Sequence, residues 1–146
     1  MRILFLSTWF PYPPSNGSRL RVNYLLRALA RDHAVTAAAF RWGESPNPGA
    51  GDGPPAGVEV LPIETTQQLF DAVLARAPDC DIILQAAAPA DYRVENPSEG
   101  KIKKTGGPLG LTLVETPDVA RALGERKKPG QVLVAFAAET GDLIEN

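Results

Sequence analysis

Short apolar runs alternate with stretches of helical periodicity along most of the chain. Five runs have the length of a buried β-strand and are bounded by turn residues or polar positions. A sixth run, residues 109–115, alternates apolar and polar positions, which predicts a more exposed strand. The five predicted strands are residues 2–7, 34–40, 58–63, 81–86 and 131–136, and burial is expected for residues 2–7, 81–86 and 131–136.

Apolar residues recur at helical spacing between several of these runs. Residues 19–31 carry Val22, Leu25, Leu26 and Leu29 on one face and are expected to be capped from within residues 15–18. A second helix is predicted from a cap at Thr65 or Thr66 through residue 77. A third, short helix is predicted after residue 115, with Thr116 as its N-cap and Pro117 at its first position.

The alternation of strands and helices predicts an α/β fold. We expect a single domain over residues 1–146, built as a three-layer α/β/α, Rossmann-like arrangement with a mainly parallel sheet. Ligands of such sheets bind beyond the carboxyl ends of the strands. Three loops are predicted to lie at that edge: residues 8–18, 87–104 and 137–142.

Composition narrows the classes of function. The 146 residues carry a formal charge of −2, so a nucleic-acid partner or a membrane surface is not expected. The single cysteine, Cys80, excludes an internal disulfide, and a zinc site is not expected with one histidine distant in sequence. The apolar run at residues 3–6 is too short to span a membrane. We therefore expect a cytoplasmic protein, and the sequence does not indicate its oligomeric state.

The loop after the fourth strand, "ADYRVENPSEGKIKK" (residues 90–104), is the first candidate for binding chemistry. It ends in Lys101, Lys103 and Lys104, and lysine is a flexible point charge suited to phosphate. A cluster of lysines in a loop is more commonly a solvated basic turn. Both interpretations stay open on composition and spacing alone.

The stretches "VEVLPIETTQQLFDAVLARAPDCDIILQAAAPADYR", "KIKK", "LTLVETPDV" and "VLVAFAAETGDL" resemble the phosphopantothenoylcysteine synthetase domain of coenzyme A biosynthesis. The resemblance covers residues 58–146. It implies a ligase that uses CTP, with Mg²⁺, to form an acyl-cytidylate that cysteine attacks. It also implies a nucleotide site, whose residues here are Ala87, Asp91, Lys101, Thr116, Pro117, Asp118, Val119 and Phe136.

Physical chemistry is consistent with those roles. A helix opening at Pro117 would offer free backbone N–H groups to an anion. Asp91 suits a base amine or Mg²⁺, and Phe136 offers a flat apolar face. The simpler alternatives are a loop hydrogen bond for Asp91 and a core position for Phe136. We assign no catalytic residue and no metal ligand from the sequence.

The first part of the chain has a different resemblance. "MRILFLSTWFPYPPSNGSRLRVNYLLRALA" is similar to the start of a family 4, two-domain glycosyltransferase, over residues 1–45. In that family the loop holding Gly17 faces the interdomain cleft, although Gly17 is better explained as a turn ahead of the helix. Residues 46–57, rich in proline and glycine, would form the junction with residues 58–146.

These two resemblances lead to the principal functional hypothesis. We expect an engineered chimera of Rossmann-like fragments that lacks full catalytic activity and retains at most weak CTP binding. The synthetase family begins with a Gly-rich turn and an Asn-Arg-Ser-Ser-Gly segment that this sequence lacks, so no measurable ligase turnover is expected. The alternatives are a CTP-dependent phosphopantothenate–cysteine ligase domain and a glycosyltransferase fragment.

Overall fold

The computed structural model describes residues 1–41, 53–104 and 106–136. Seven strands and three α-helices lie within these ranges, and a 3₁₀ turn, Ala77–Asp79, follows the second helix. The strands are β1 (Arg2–Ser7), β2 (Ala34–Phe40), β3 (Val58–Ile63), β4 (Ile82–Gln85), β5 (Tyr92–Val94), β6 (Leu113–Glu115) and β7 (Val132–Ala135). The helices are α1 (Gly17–Leu29), α2 (Thr66–Arg76) and α3 (Val119–Arg126).

Five of the strands form one parallel sheet in the order β3-β2-β1-β4-β7. The chain builds outward from β1 to β3 and then returns to place β4 on the other side of β1. This reversal opens a crevice at the carboxyl ends of the central strands, where ligands of open α/β sheets bind. Strands β5 and β6 form a separate antiparallel ribbon.

Two apolar layers hold helices on the two faces of the sheet. One layer contains Leu69 and Val73 of α2 and Leu123 of α3, packed with Leu4 and Ile83 of the central strands. The other contains Leu26 of α1, packed against Ile3, Phe5 and Val35. Alternate residues of one strand enter opposite layers because side chains alternate across a sheet. The predicted three-layer, mainly parallel α/β fold is confirmed.

The first half of the described chain follows the predicted pattern closely. Strands β1, β2 and β3 have the predicted bounds. The cap of α2 is Thr65, which accepts a bond from the Gln68 N–H in a reciprocal capping box. Helix α1 begins earlier than predicted, at Gly17, because the Asn16 side chain accepts a hydrogen bond from the Arg19 N–H.

The start of the third helix was predicted wrongly. Its N-cap is Asp118, whose carboxylate accepts a 2.9 Å hydrogen bond from the Arg121 N–H. Thr116 lies two residues before this cap, and its hydroxyl donates to the Ala90 carbonyl instead of accepting from a helix N–H. Pro117 therefore precedes the helix instead of opening it.

Two strand predictions in the second half also need correction. The strand predicted over residues 109–115 is reduced to Leu113–Glu115, which pairs with Tyr92–Val94, a strand that the sequence did not indicate. Residues 131–136 were predicted as a buried strand, but β7 is the edge of the sheet, and Val132, Val134 and Phe136 are substantially exposed.

Some predictions fall on other parts of the chain. Residues 46–52 of the proposed junction lie outside the described residues. The predicted loop 137–142 also lies outside them. In the part of the chain that the structure describes, no helix has the length and apolar character required to cross a membrane.

Candidate functional site

A pocket of about 690 Å³ opens at the carboxyl ends of β4 and β7. Three separate segments form it: the end of β4 with the loop after it, the end of β6 through the start of α3, and the residue following β7. The lining residues are Gln85, Ala88, Pro89, Asp91, Tyr92, Glu115, Thr116, Pro117, Asp118, Val119, Ala120 and Phe136.

Hydrogen bonds tie two of these segments together. The Thr116 hydroxyl donates to the Ala90 carbonyl at 2.6 Å, and the Thr116 N–H donates to the Asp91 carbonyl at 2.8 Å. The loop after β4 and the segment before α3 are therefore held at a set separation. The pairing of β5 with β6 continues the same connection outward.

Helix α3 directs its amino-terminal end toward the pocket, with Val119 and Ala120 among the lining residues. The first N–H groups of a helix have no partner within the helix. Asp118 takes one of them, from Arg121, through its carboxylate. The anion site predicted for this helix end therefore already contains a carboxylate, which reduces its attraction for phosphate.

The charge of the pocket is negative. Asp91, Glu115 and Asp118 line it, and no described lining residue is a lysine or arginine. Carboxylates accept hydrogen bonds and repel phosphate. The pocket therefore suits the amine and hydroxyl groups of a nucleoside better than an uncompensated triphosphate.

Six of the eight residues predicted for the nucleotide site line this one pocket, although they are far apart in sequence. Two do not. Ala87 is buried in the apolar layer beneath, so its side chain supports the pocket floor instead of lining it. Lys101 is exposed in the connection between β5 and β6, outside the pocket. The six that converge are Asp91, Thr116, Pro117, Asp118, Val119 and Phe136.

Phe136 was given a core position as its simpler alternative, but the structure leaves 63% of it exposed. It follows β7 at the sheet edge, and its N–H donates to the Gln85 carbonyl at 3.3 Å. Its ring is one wall of the pocket. An aromatic ring in such a position has a free face on which a planar base can stack.

Sequence reasoning missed six lining residues: Gln85, Ala88, Pro89, Tyr92, Glu115 and Ala120. Gln85 is 5% exposed, and its Oε1 has no hydrogen-bond partner among the described residues. A polar residue at the end of the apolar run "IILQ" was the available indication. It is also a common way for a strand to end, so the residue was not selected.

Metal binding depends on how the carboxylates are arranged. No group of three or more His, Cys, Asp or Glu residues in the described ranges could hold a metal ion. Mg²⁺ normally takes one or two carboxylates together with substrate phosphates. The described carboxylates of the pocket do not form an all-protein cage for such an ion.

Two other recesses flank the strands. One, of about 400 Å³, shares Ala88 and Pro89 with the pocket and also contains Thr8 and Arg93. The other, of about 500 Å³, lies at the amino ends of β1, β2 and β3 and is crossed by the Arg76–Glu59 ion pair of 2.9 Å. The second recess lies at the wrong edge of the sheet for a ligand site. The first lies at the carboxyl edge, but the pocket beside Phe136 contains the six predicted residues and is therefore the candidate functional site.

Comparison with known proteins places the chain in a family. Residues 46–146, more than half of the chain, match the model of the DNA/pantothenate metabolism flavoprotein C-terminal domain. The chain belongs to that family. All of the residues that line the pocket lie within the matched range.

Curated relatives extend this result. The coenzyme A biosynthesis bifunctional protein CoaBC of Mycobacterium tuberculosis (strain ATCC 25618 / H37Rv) is 43% identical over 94 residues, covering 60% of this chain and 22% of the relative. The protein of the same name from Bacillus subtilis (strain 168) is 38% identical over 92 residues, covering 63% and 22%. The matched part thus spans less than a quarter of these relatives.

A solved structure shows the same architecture. The C-terminal domain of a coenzyme A biosynthesis bifunctional protein CoaBC superposes with a TM-score of 0.64 at 23% identity, covering 97% of this chain and 66% of that one. The superposition extends over the amino-terminal part as well, and throughout its length it shows the fold alone.

These findings confirm the predicted relation to coenzyme A biosynthesis proteins. None of them shows a glycosyltransferase-like amino-terminal part or a chimera. They favour the ligase alternative over the principal hypothesis of an engineered, inactive chimera.

Proposed function

We propose that this domain is the nucleotide-binding part of a CTP-dependent phosphopantothenate–cysteine ligase, and that the pocket beside Phe136 holds the cytidine. The observation that carries the proposal is the convergence of six predicted nucleotide-site residues, from three separate segments, on one pocket at the carboxyl edge of the sheet.

The distribution of charge sets how the nucleotide lies. The carboxylates of Asp91, Glu115 and Asp118 suit amines and hydroxyls, so the base and ribose occupy the pocket. The triphosphate extends toward the loop that carries Lys101, Lys103 and Lys104, which are all exposed. A bound Mg²⁺ would neutralise phosphate charge, and Asp91 is the residue we propose to assist in holding it.

The reaction that the family relation supports has two steps. The carboxylate of phosphopantothenate attacks the α-phosphorus of CTP, forming an acyl-cytidylate and releasing pyrophosphate. The amine of cysteine then attacks the acyl carbon, an amide bond forms and CMP leaves with the bonding electron pair. In this scheme Phe136 and the carboxylates orient the nucleoside, and the lysine loop balances charge on the phosphates.

Calorimetric titration with CTP and Mg²⁺ tests the binding, with ATP as the comparison nucleotide. We expect saturable binding that prefers CTP. A folded protein that gives no saturable signal with CTP would overturn the proposal.

Ligase chemistry needs a second assay. Pyrophosphate release from CTP that depends on both phosphopantothenate and cysteine would support the ligase. Binding without pyrophosphate release would instead support the expectation of no turnover that was drawn from the departures in the amino-terminal part.

A further inference from the structure

Two glutamines are buried in the described part of the chain, and their hydrogen bonding differs completely. Gln131, at the amino end of β7, donates through Nε2 to the carbonyls of Ala77 at 2.7 Å and Cys80 at 2.6 Å. Its Oε1 accepts from the Lys128 N–H at 3.3 Å. Gln85 lacks hydrogen bonds of this kind, and its buried Oε1 has no partner among the described residues.

Gln85 sits at the carboxyl end of β4, an interior strand of the sheet. It pairs in register with Leu6 of β1 and Ala135 of β7. Its side chain points to the same face as Ile83, which packs in the layer beneath α2 and α3. The amide therefore forms the buried floor of the pocket beside Phe136.

A buried acceptor without a hydrogen bond costs folding free energy. None of the described residues compensates this cost at the Gln85 Oε1. The Gln85 side chain also lines the pocket, so a small shift of its amide on binding can bring Oε1 within reach of a ligand atom at the floor. An unmet acceptor at the base of a ligand pocket is typical of a group that recognises its ligand.

The surroundings decide which ligand group fits. The other polar groups at the pocket include Asp91, Glu115 and Asp118, whose negative potential favours a donor such as an amine over a carbonyl oxygen. An amide presents an acceptor and a donor side by side. Cytosine presents the complementary pair, an exocyclic amine beside a ring nitrogen acceptor, whereas uracil presents a carbonyl beside a ring N–H.

We infer that Gln85 is a specificity-determining residue of the proposed nucleotide site, where its buried Oε1 accepts from the amine of cytosine and its Nε2 donates to the adjacent ring nitrogen. The inference rests on the proposed function. Adenine also presents an amine beside a ring acceptor, so Gln85 discriminates CTP from UTP and leaves exclusion of ATP to the size of the pocket.

The test compares two variants of matching chemistry, Gln85→Met and Gln131→Met, in the full chain. The affinities for CTP and for UTP, each with Mg²⁺, are measured by calorimetry, and the melting temperature is measured for each variant. The wild type is expected to prefer CTP. Gln85→Met is expected to lose about tenfold in CTP affinity and most of the CTP preference, with an unchanged or raised melting temperature.

Gln131→Met serves as the matched control. It removes an amide whose bonds are all internal, so the melting temperature falls while the CTP preference is retained. This contrast distinguishes a glutamine that stabilises the fold from one that binds the ligand.

Three results would overturn the inference. An unchanged CTP preference in Gln85→Met would do so while leaving the proposed function in place. A fall in melting temperature as large as that of Gln131→Met would show that the Gln85 amide is structural. A wild-type protein that binds neither nucleotide would remove the inference together with the proposed function.

Discussion

The hydroxyl of Thr116 donates a 2.6 Å hydrogen bond to the carbonyl of Ala90, 26 residues earlier in the chain. This bond joins the loop after β4 to the segment that leads into α3. The cap of α3 is Asp118, two residues further along the chain. The Thr116 side chain thus holds two walls of the pocket together.

Removing that hydroxyl should weaken both the fold and the pocket. Thr116→Val keeps the shape of the side chain and is expected to lower the free energy of unfolding by about 1 kcal/mol and CTP affinity by roughly threefold. Thr116→Ser keeps a hydroxyl and should retain both properties. Denaturant unfolding and calorimetry measure the two effects, and equal behaviour of the Val and Ser variants would contradict the prediction.

Phe136 should contribute to binding without contributing to stability, because most of its ring is exposed. Phe136→Ala is expected to weaken CTP binding about tenfold through lost stacking, with an unchanged melting temperature. Leu111 is similarly exposed and lies outside the pocket, so Leu111→Ala is the control. Equal CTP affinities of the two variants would show that Phe136 does not contact the base.

Lys101 should act on the phosphates alone. Lys101→Ala is expected to reduce CTP affinity roughly tenfold, with a smaller effect at high salt, and to leave the weaker binding of cytidine unchanged. Lys127, at the far end of α3, provides the control variant Lys127→Ala. If cytidine binding fell as much as CTP binding, the loss would be in pocket structure and not in a phosphate contact.

The cap of α3 can be tested through stability. Asp118→Ala removes the acceptor for the Arg121 N–H and should cost about 1 kcal/mol of unfolding free energy. Asp118→Asn should retain most of that stability, because an amide oxygen caps equally well. Denaturant titration measures both, and an alanine variant as stable as wild type would show that the cap contributes nothing.

The Cys80 thiol should react slowly with alkylating reagents in the folded protein. Burial raises its pKa, and its Sγ donates to the Arg76 carbonyl at 3.3 Å. The thiolate population is therefore low at neutral pH, so alkylation should be slower in the folded protein than in urea-denatured protein and should accelerate at alkaline pH. Equal rates in the two states at neutral pH would contradict this.

The same raised pKa has a consequence for stability. The folded state holds the thiol proton more tightly than the unfolded state, so the contribution is complete below the ordinary thiol pKa. It is lost as pH rises through the raised value. Cys80→Ala should therefore show a smaller loss of stability at alkaline pH than the wild type, as measured by denaturant unfolding across that range.

Much of the fold could be predicted from the local pattern of apolar and polar residues. Short apolar runs indicated β1, β2 and β3 with their observed bounds. The continuous run in β1 reflects burial on both faces, which needs apolar residues at successive positions. Thr65 was one of two predicted caps for α2. The Tyr92–Val94 strand was missed because three residues carry too little periodicity, and its partner lies 18 or more residues further along the chain.

The sequence predicted which residues form the candidate site better than it predicted how they are arranged. The family resemblance named the residues, and six of them met in the pocket. Gln85 was missed because a polar residue ending an apolar strand has nothing distinctive about it in sequence. Its importance depends on burial and on the lack of a partner, which only the arrangement of neighbouring strands and α3 determines.

By itself, the sequence determined the class of fold, most strands and helices, and the family relation, because these follow from local periodicity and from stretches of residues read in order. Only the tertiary structure decided that β7 is an exposed edge, that Asp118 caps α3, that Ala87 is core and that Gln85 is left without a partner. The physical reason is that sheet order and hydrogen-bond competition depend on contacts between residues far apart in the chain.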